Sequence, residues 1–266
     1  MRKRFGQALR IGVAADGVAL LKTSRWQGEK ASVLAQAGFG AAAPLAESLA
    51  QALRQLLAGD SWSGWPVTVV LADELLRLWQ VTPPAGSTRL ADLEAAAALR
   101  FQSLYGEPAS GWALAAGWDA AHPFLAAAMP RALLAVLAQA AAEHQFTLVE
   151  VVPQFVAALN QWRGALKPDD WFGVVHGRVL SVAAVGAHGV GAVRAAALPD
   201  DADGAWLSAH LAREALRLNL PAPERLQLCG AVPAGWHGHA ACKLLGAAHG
   251  AGWPASAQLA ATGSAA

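Results

Sequence analysis

The chain shows the same succession of hydrophobic patterns twice: three short β-type runs and then an amphipathic helix. In the first half, β-branched and apolar residues dominate three runs, at residues 11–15, 18–24 and 31–39. Leucines then recur at helical spacing on one face, at Leu45, Leu49, Leu53 and Leu56. Pro44 precedes this helix and Gly59 follows it, as is typical of a helix start and stop. The pattern predicts three strands followed by a helix.

The second half repeats this succession. Its predicted strands cover residues 171–176, 179–185 and 189–197, and its helical face is formed by Leu207, Leu211, Ala215 and Leu218. Asp16-Gly17 and His176-Gly177 occupy matching places between the first two strands, where glycine can adopt the positive φ of a tight hairpin. A fourth strand follows each helix, at residues 67–71 and 226–229. We therefore predict an α/β protein built from a duplicated unit.

A segment without a counterpart lies between the two halves. It begins with a predicted strand at residues 76–81, which ends at Pro83-Pro84. A helix follows whose apolar face consists of Leu90, Leu93, Ala97, Phe101 and Leu104. Two short strands near residues 111–117 and 124–128 complete it. We interpret residues 85–129 as an inserted subdomain.

The domain boundaries follow from breaks in these patterns. After the insertion, a helix opened by Pro130, a strand at 146–151 and a helix at 154–166 complete the first half. Proline and two carboxylates at residues 167–170 then end that helix. We predict a first lobe at 8–166, a second lobe at 169–250 and a disordered tail at 251–266. The tail prediction rests on a composition of Gly, Ala, Ser and Pro with few bulky apolar residues.

Composition and charge exclude several classes of protein. Hydrophobic residues make up 55% of the 266 residues and charged residues 15%, which is too apolar for a disordered chain. Alanine accounts for much of this value, and we find no run of about 20 bulky apolar residues that predicts a membrane span. The net charge is +1, with scattered Lys and Arg, which argues against a nucleic-acid partner. Cys229 and Cys242 form no C-x-x-C motif, and we expect reduced thiols.

Few side chains form a pattern that predicts chemistry. His237, His239 and Cys242, with Cys229 upstream, offer zinc-ligand types, but their spacing matches no zinc module that we recognise, so we predict no metal site. The chain has no G-x-S-x-G nucleophile elbow and no phosphate-binding P-loop sequence. The 11 tryptophans are more typical of buried anchors than of a sugar-binding surface, because they show no period-two stripe along a strand.

The duplicated pattern resembles the actin-like (RNase H-like) ATPase fold: two lobes, with an inserted small subdomain in the first. Within that superfamily the chain is similar to the PilM and GspL cytoplasmic-domain family of type IV pilus and type II secretion assembly. The resemblance lies in three stretches, at residues 9–13, 67–84 and 126–160. The last of these, AAAMPRALLAVLAQAAAEHQFTLVEVVPQFVAALN, has the family's order of strand, helix and strand, leading to V-x-P-x-x-x-A.

The nucleotide-binding positions that the resemblance implies are not matched. Members that bind ATP resemble one another in a first hairpin of type G-x-D-x-G-x-x-x-x-K, and here Ala14, Asp16 and Leu21 replace its Asp, Gly and Lys. The second hairpin, at 175–177, also lacks the expected carboxylate, and 228–231 keeps one glycine of an expected pair. Without Mg²⁺ or a compensating Lys, a triphosphate would carry unpaired charge. We therefore predict no nucleotide cofactor and no enzymatic activity. An ATP-dependent, kinase-like phosphotransferase of the same superfamily is the alternative.

The resemblance also implies a partner and a location. Family members act as cytoplasmic scaffolds, peripheral to the inner membrane through partners, and bind the short cytoplasmic tail of an inner-membrane assembly protein; the assembly motor ATPase is a further partner to expect. We expect the tail to dock where the insertion meets the first lobe. The insertion carries residue types enriched at interface hot spots, namely Arg100, Tyr105, Trp112 and Trp118. For each tryptophan the alternative is a role in the small core of the subdomain.

Overall fold

A computed structural model of the chain describes residues 6–24, 31–40, 43–246 and 252–264. The strands along these residues are β1 (Gln7–Val13), β2 (Gly17–Ser24), β3 (Ala31–Gly38), β4 (Pro66–Leu71), β5 (Arg77–Val81), β6 (Trp112–Ala116), β7 (Phe124–Pro130), β8 (Thr147–Pro153), β9 (Trp171–His176), β10 (Val179–Gly186), β11 (Gly189–Val190), β12 (Arg194–Ala197), β13 (Leu226–Gly230) and β14 (Cys242–Leu244). The helices are α1 (Leu45–Leu56), α2 (Leu90–Tyr105), α3 (Arg131–His144), α4 (Gln154–Trp162), α5 (Gly204–Arg217) and α6 (Ala255–Ala261).

These elements form two compact units. The first comprises Met1–Leu76, Met129–Gln161 and His249–Ala266, and the second comprises Arg77–Ala128 and Trp162–Ala248. Each helix in the described residues is too short or too polar to traverse a lipid bilayer.

The first unit is built on a five-stranded sheet with the order β3-β2-β1-β4-β8. β1, β2 and β3 are antiparallel neighbours, whereas β4 and β8 run parallel to β1. Leu9, Ile11 and Val13, which point to one face of the central strand β1, are fully buried, and α6 covers the other face at Gly12. The leucine face of α1 is buried as its spacing predicts, through Leu49, Leu53 and Leu56.

The second unit contains a sheet with the same order, β11-β10-β9-β13-β14, in which β12 also pairs with β10. β10 is antiparallel to β9, and β13 is parallel to β9, as β2 and β4 are to β1. Gly177 has a φ of 53° at the β9–β10 turn, the conformation that the His-Gly pair predicts. The duplication inferred from the sequence is therefore confirmed in strand order and direction.

The inserted subdomain also lies in the second unit. Its three-stranded sheet has the order β5-β7-β6, and α2 packs against it. The sheet takes in Arg77–Val81, so the subdomain begins before residue 85, where the sequence analysis placed its start. The boundary was misplaced because β5, the strand that ends just before Pro83-Pro84, is part of the insertion and does not precede it.

The predicted disordered tail is wrong for the described residues 252–264. Residues 255–261 form α6, which packs on β1 and β2, and Ala257, Leu259 and Ala260 are fully buried there. A Cβ atom on Gly12 would lie 2.0 Å from the carbonyl oxygen of Ser256, so only glycine allows this approach. Small side chains bring the helix backbone close to the strand, which is why a segment poor in bulky residues still docks firmly.

The end of α6 is held by a half-buried cation, Arg10. The Arg10 Nε and Nη2 atoms each donate to a carbonyl oxygen, those of Ala260 and Thr262, and the Nε–Ala260 distance is 2.5 Å. Carbonyl groups at a helix C-terminus lack intrahelical donors, so a guanidinium there satisfies them and complements the helix dipole. Burial lowers the pKa of Arg10, and the charge of Glu150 opposes this shift.

Candidate partner-binding groove

An aromatic cluster forms the core of the inserted subdomain. Phe101 of α2 is fully buried at its centre, with ring centroids 5.3 Å from Trp79, 5.1 Å from Tyr105 and 5.3 Å from Trp112. The guanidinium carbon of Arg77 lies 5.5 Å from the centroids of both the Tyr105 and Trp112 rings, within the range of cation–π attraction. These contacts pack β5 against the C-terminal half of α2.

A groove of about 680 Å³ runs along β5 beside this cluster. β5 and α2 form one wall, and residues 192–194 with Leu218 of the second actin-like lobe form the other. Its apolar lining comes from Leu78, Ala96, Leu104, Ala192, Val193 and Leu218. Leu104 is 45% exposed, so the groove presents apolar surface to solvent.

The structure brings two of the four sequence-predicted residues, Arg100 and Tyr105, to this groove. Trp112 is not among the residues that line it; this side chain is half-buried against Phe101, and its Nε1 atom donates to Glu107 Oε2 over 3.1 Å. Trp118 packs on Phe124 at 5.6 Å. Both tryptophans pack against the subdomain core, so their replacement is expected to affect stability.

Tyr105 joins the cluster to the edge of the sheet. Its hydroxyl donates a hydrogen bond of 3.1 Å to the backbone carbonyl oxygen of Leu78. Burial raises the pKa of the Tyr105 phenol, and the positive charges of Arg77 and Arg194 oppose this rise. The phenol therefore stays protonated at neutral pH and acts as a hydrogen-bond donor.

Positive charge dominates the groove. Arg100 and Arg194 are exposed among its lining residues, and no acidic side chain lines it in the described part of the chain. Arg194 Nε lies 2.9 Å from Glu214 Oε2, and Arg217 Nη1 lies 2.5 Å from Glu214 Oε1. Burial raises the pKa of the Glu214 carboxyl, but the two arginines outweigh that effect, and the net shift is downward. One carboxylate thus faces two guanidinium groups.

Sequence reasoning missed Arg77 and Arg194 as part of this region. Arg77 lies outside residues 85–129, which the sequence analysis took as the insertion, and Arg194 lies more than 100 positions after Arg77. The alternation of Leu78 and Gln80 with buried Trp79 and Val81 was a usable signal, because it predicts a strand with one open face. Which edge of that strand is open depends on the tertiary structure.

The first hairpin, where the resemblance implies a nucleotide site, is packed with apolar side chains. Ala14 is 2% exposed in a cluster with Val70, Val152 and Leu259. Leu21, at the position of the family's Lys, is fully buried against α6. A carboxylate or an ammonium group at these positions would be buried in an apolar environment, which without a partner costs more than the roughly 2 to 7 kcal/mol of an unpaired amide or hydroxyl.

The second hairpin is likewise part of a core. Val175 is 1% exposed and belongs to the cluster that contains Trp236 and Leu228. A Cβ atom on Gly230 would lie 2.1 Å from the carbonyl oxygen of Val175, so this glycine has a packing role between β9 and β13. His176 is buried.

The zinc-ligand types noted in the sequence do not converge. His239 Nε2 lies 2.9 Å from the Ser208 hydroxyl, and the Cys229 thiol donates to the Gly173 carbonyl oxygen over 3.8 Å. Burial raises the pKa of the Cys242 thiol, which disfavours the thiolate that zinc requires. Within the described residues, no three His, Cys, Asp or Glu side chains are placed to hold a metal ion.

Comparison with solved structures identifies the fold. No protein-family model matches the sequence, and a search of curated proteins finds no significant match. Among solved structures, the chain resembles the cytoplasmic domain of EpsL, an inner-membrane component of the type II secretion system of Vibrio cholerae. That match has a TM-score of 0.55 and 15% identity over 90% of this chain and 85% of the other.

Two further structures are similar over a comparable length. The PilM–PilN type IV pilus biogenesis complex matches with a TM-score of 0.58 and 18% identity, covering 90% of this chain and 88% of that one. A Bacteroides thetaiotaomicron protein with an actin-like ATPase fold matches with a TM-score of 0.60 and 10% identity, covering 91% and 92%. The chain therefore has the actin-like ATPase fold, in the arrangement found in PilM and in the cytoplasmic domain of EpsL.

Proposed function

We propose that this protein is a non-enzymatic cytoplasmic scaffold of a type IV pilus or type II secretion machine. It binds the short cytoplasmic tail of an inner-membrane assembly protein, and so lies at the inner membrane through its partners. The observation that supports this most directly is the likeness, over about nine-tenths of the chain, to a PilM–PilN complex and to the EpsL cytoplasmic domain. The motor ATPase of the machine is a second partner in this proposal.

The groove along β5 offers a further surface on which a segment of a partner protein can bind. It combines apolar walls, two exposed arginines and a rigid aromatic support, and such residues carry much of the binding energy at protein interfaces. The docking place predicted from the sequence, at the meeting of the insertion with the first lobe, stays a prediction.

The lack of catalysis is proposed from the two hairpins. A phosphoryl-transfer site needs a cation held by carboxylates or a lysine beside the phosphates. The hairpin positions hold Ala14, Leu21 and Val175 instead, and all three are buried by apolar neighbours. Each position thus stabilises its lobe rather than a bound phosphate.

A phosphotransferase is the second candidate, and one observation favours it. Asp16 of the first hairpin and Glu74 are two carboxylates whose charges interact: desolvation raises the pKa of the Glu74 carboxyl, a backbone hydrogen bond opposes this rise, and the negative charge of Asp16 adds to it. A phosphotransferase would use such carboxylates as ligands of Mg²⁺. Under this alternative, Asp16→Asn and Glu74→Gln would each abolish Mg²⁺-dependent nucleotide binding.

Affinity purification of the full chain from detergent-solubilised cells tests the scaffold proposal. We expect an inner-membrane protein with a short cytoplasmic tail to co-purify, and a synthetic copy of that tail to bind the purified protein saturably. Enrichment of no membrane protein over a tag-only control, or ATP turnover by the purified protein, would contradict the proposal.

A further inference from the structure

The open edge of β5 carries backbone groups that point into the groove. In the antiparallel pair of β5 and β7, Gln80 lies opposite Leu125. The carbonyl oxygen of Leu125 accepts a hydrogen bond from Gly117 N, on the β6 side of β7. The backbone N–H and C=O of one residue point to the same side of a strand, so those of Leu125 point to β6 and not to β5. Gln80 and Leu125 are therefore a non-hydrogen-bonded pair of the β5–β7 ladder.

Gln80 therefore directs its own N–H and C=O away from β7. Leu78 has the same orientation, because its carbonyl oxygen accepts the Tyr105 hydroxyl instead of a β7 donor. Neither backbone group of Gln80 has a partner among the described residues, and both Leu78 and Gln80 line the groove. A row of backbone donors and acceptors at a sheet edge is a template for pairing with another strand.

The opposite wall of the groove comes from the connection between β11 and β12, at residues 192–193, together with Arg194 and Leu218. The groove therefore borders one open strand edge, that of β5. An extended segment can pair with such an edge, whereas a helix bonds its backbone groups internally and cannot.

The charges select the kind of segment that fits. Arg100 and Arg194 are exposed in the groove, and Glu214, which faces Arg194, is shared with Arg217. With no acid among the described lining residues, the groove carries an excess of positive charge. An acidic segment would gain charge-assisted hydrogen bonds from the guanidinium groups.

We propose that an extended, acidic segment of a partner protein adds as a strand to the β5 edge, with Arg100 and Arg194 contacting its carboxylates. This inference goes beyond the proposed function, because the groove borders the second lobe and not the first lobe, where the tail of the membrane partner is expected to dock. Backbone pairing with β5 gives affinity, alternate side chains enter the apolar walls, and the arginines select for acidic residues. The edge from Leu78 to Thr82 accommodates about five residues, at about 3.3 Å per residue.

A proline substitution separates edge pairing from folding. In Gln80→Pro the lost N–H is one that points into the groove, so the β5–β7 ladder keeps its hydrogen bonds, and proline is tolerated at such edge positions. Gln80→Thr is the matched control, because threonine keeps the backbone N–H and favours the strand conformation. Unchanged near-ultraviolet circular dichroism, which reports the packing of Trp79, checks that both variants fold.

The probe is a blocked, fluorescein-labelled hexapeptide in which valine and glutamate alternate, titrated against the full chain by fluorescence anisotropy at low salt. We expect saturable binding by the wild type, a loss of at least about tenfold in Gln80→Pro, and no change in Gln80→Thr. Arg100→Glu should weaken binding about tenfold, whereas the exposed helix variant Arg54→Glu should leave it unchanged. A valine–lysine peptide should not bind.

The proposal is overturned if the wild type does not bind the acidic peptide saturably, if Gln80→Pro and Gln80→Thr bind equally, or if the lysine peptide binds as well. Its failure can be distinguished from that of the proposed function. If a membrane protein co-purifies with the wild type but the acidic peptide does not bind, the scaffold role stands and the β5 site falls. If the acidic peptide binds in a Gln80-dependent way but no membrane protein co-purifies, the β5 site stands and the scaffold role falls.

Discussion

Replacing Gly12 with alanine tests the close approach of α6 to β1. The added Cβ atom would lie 2.0 Å from Ser256 O, 2.6 Å from Ala260 N and 3.0 Å from Ala260 Cβ. Two of these three atoms belong to the backbone, so no side-chain rotation relieves the clash. α6 must move away from the sheet as a whole, and Ala257, Leu259 and Ala260 lose part of their burial.

The expected loss of stability follows from that displacement. Overpacking at a close contact costs about 1 to 3 kcal/mol, and exposing a buried leucine costs about 1.5 to 3 kcal/mol. We therefore expect Gly12→Ala to lower the free energy of unfolding by about 2 to 4 kcal/mol. For a chain of 266 residues that corresponds to a fall in Tm of about 4 to 7 °C.

Thermal unfolding and limited proteolysis with thermolysin measure the two consequences. Leu259 is fully buried, so cleavage before it reports release of α6. Gly117→Ala is the control, because a Cβ there meets no atom within 4 Å and the residue does not need a positive φ. If Gly12→Ala keeps the wild-type Tm and resists cleavage at Leu259, α6 does not dock on β1 as described.

Three further predictions concern the lobes and the subdomain. Calorimetry with Mg²⁺-ATP should show no saturable binding tighter than about 10 µM, and tighter binding would favour the phosphotransferase. Trp112→Ala should lower the free energy of unfolding by about 2 to 4 kcal/mol, because it removes packing on Phe101, whereas Arg100→Ala should leave it nearly unchanged in urea titrations. Glu214→Gln should destabilise the protein by about 1 to 2 kcal/mol at pH 7. Since the pKa of Glu214 is lowered in the folded state, its stabilising effect is present above the ordinary glutamate pKa and lost as pH falls through the folded value. The difference between Glu214→Gln and the wild type should therefore shrink in unfolding experiments at acidic pH, and a constant difference would contradict the role of the two arginines.

The duplicated order of strands and helices was readable from the sequence because local patterns specify it. Leu49, Leu53 and Leu56 repeat at helical spacing, and His176-Gly177 is a turn pair, so neither needs knowledge of distant residues. Strand direction and sheet order then follow from the fold that this succession indicates.

The groove and α6 were not readable because they depend on contacts between distant parts of the chain. Residues 255–261 lack the bulky apolar positions that mark a core helix, and their burial depends on Gly12 leaving room for the helix backbone. Arg100 and Tyr105 were identified by residue type alone. Only the tertiary structure shows that they line one groove with Arg194, and that Trp112 packs against the core of the subdomain.

The docking of α6 on β1 also constrains how the protein folds during synthesis. Arg10 and Ala260, which are hydrogen-bonded, are separated by 250 positions in the sequence. At a translation rate of about 5 to 20 residues per second, β1 leaves the ribosome roughly 12 to 50 s before its covering helix. Throughout that interval the α6-facing side of the first sheet is apolar and uncovered. We expect the nascent first unit to need protection by a chaperone. The second unit differs, because all of its strands are synthesised before α6.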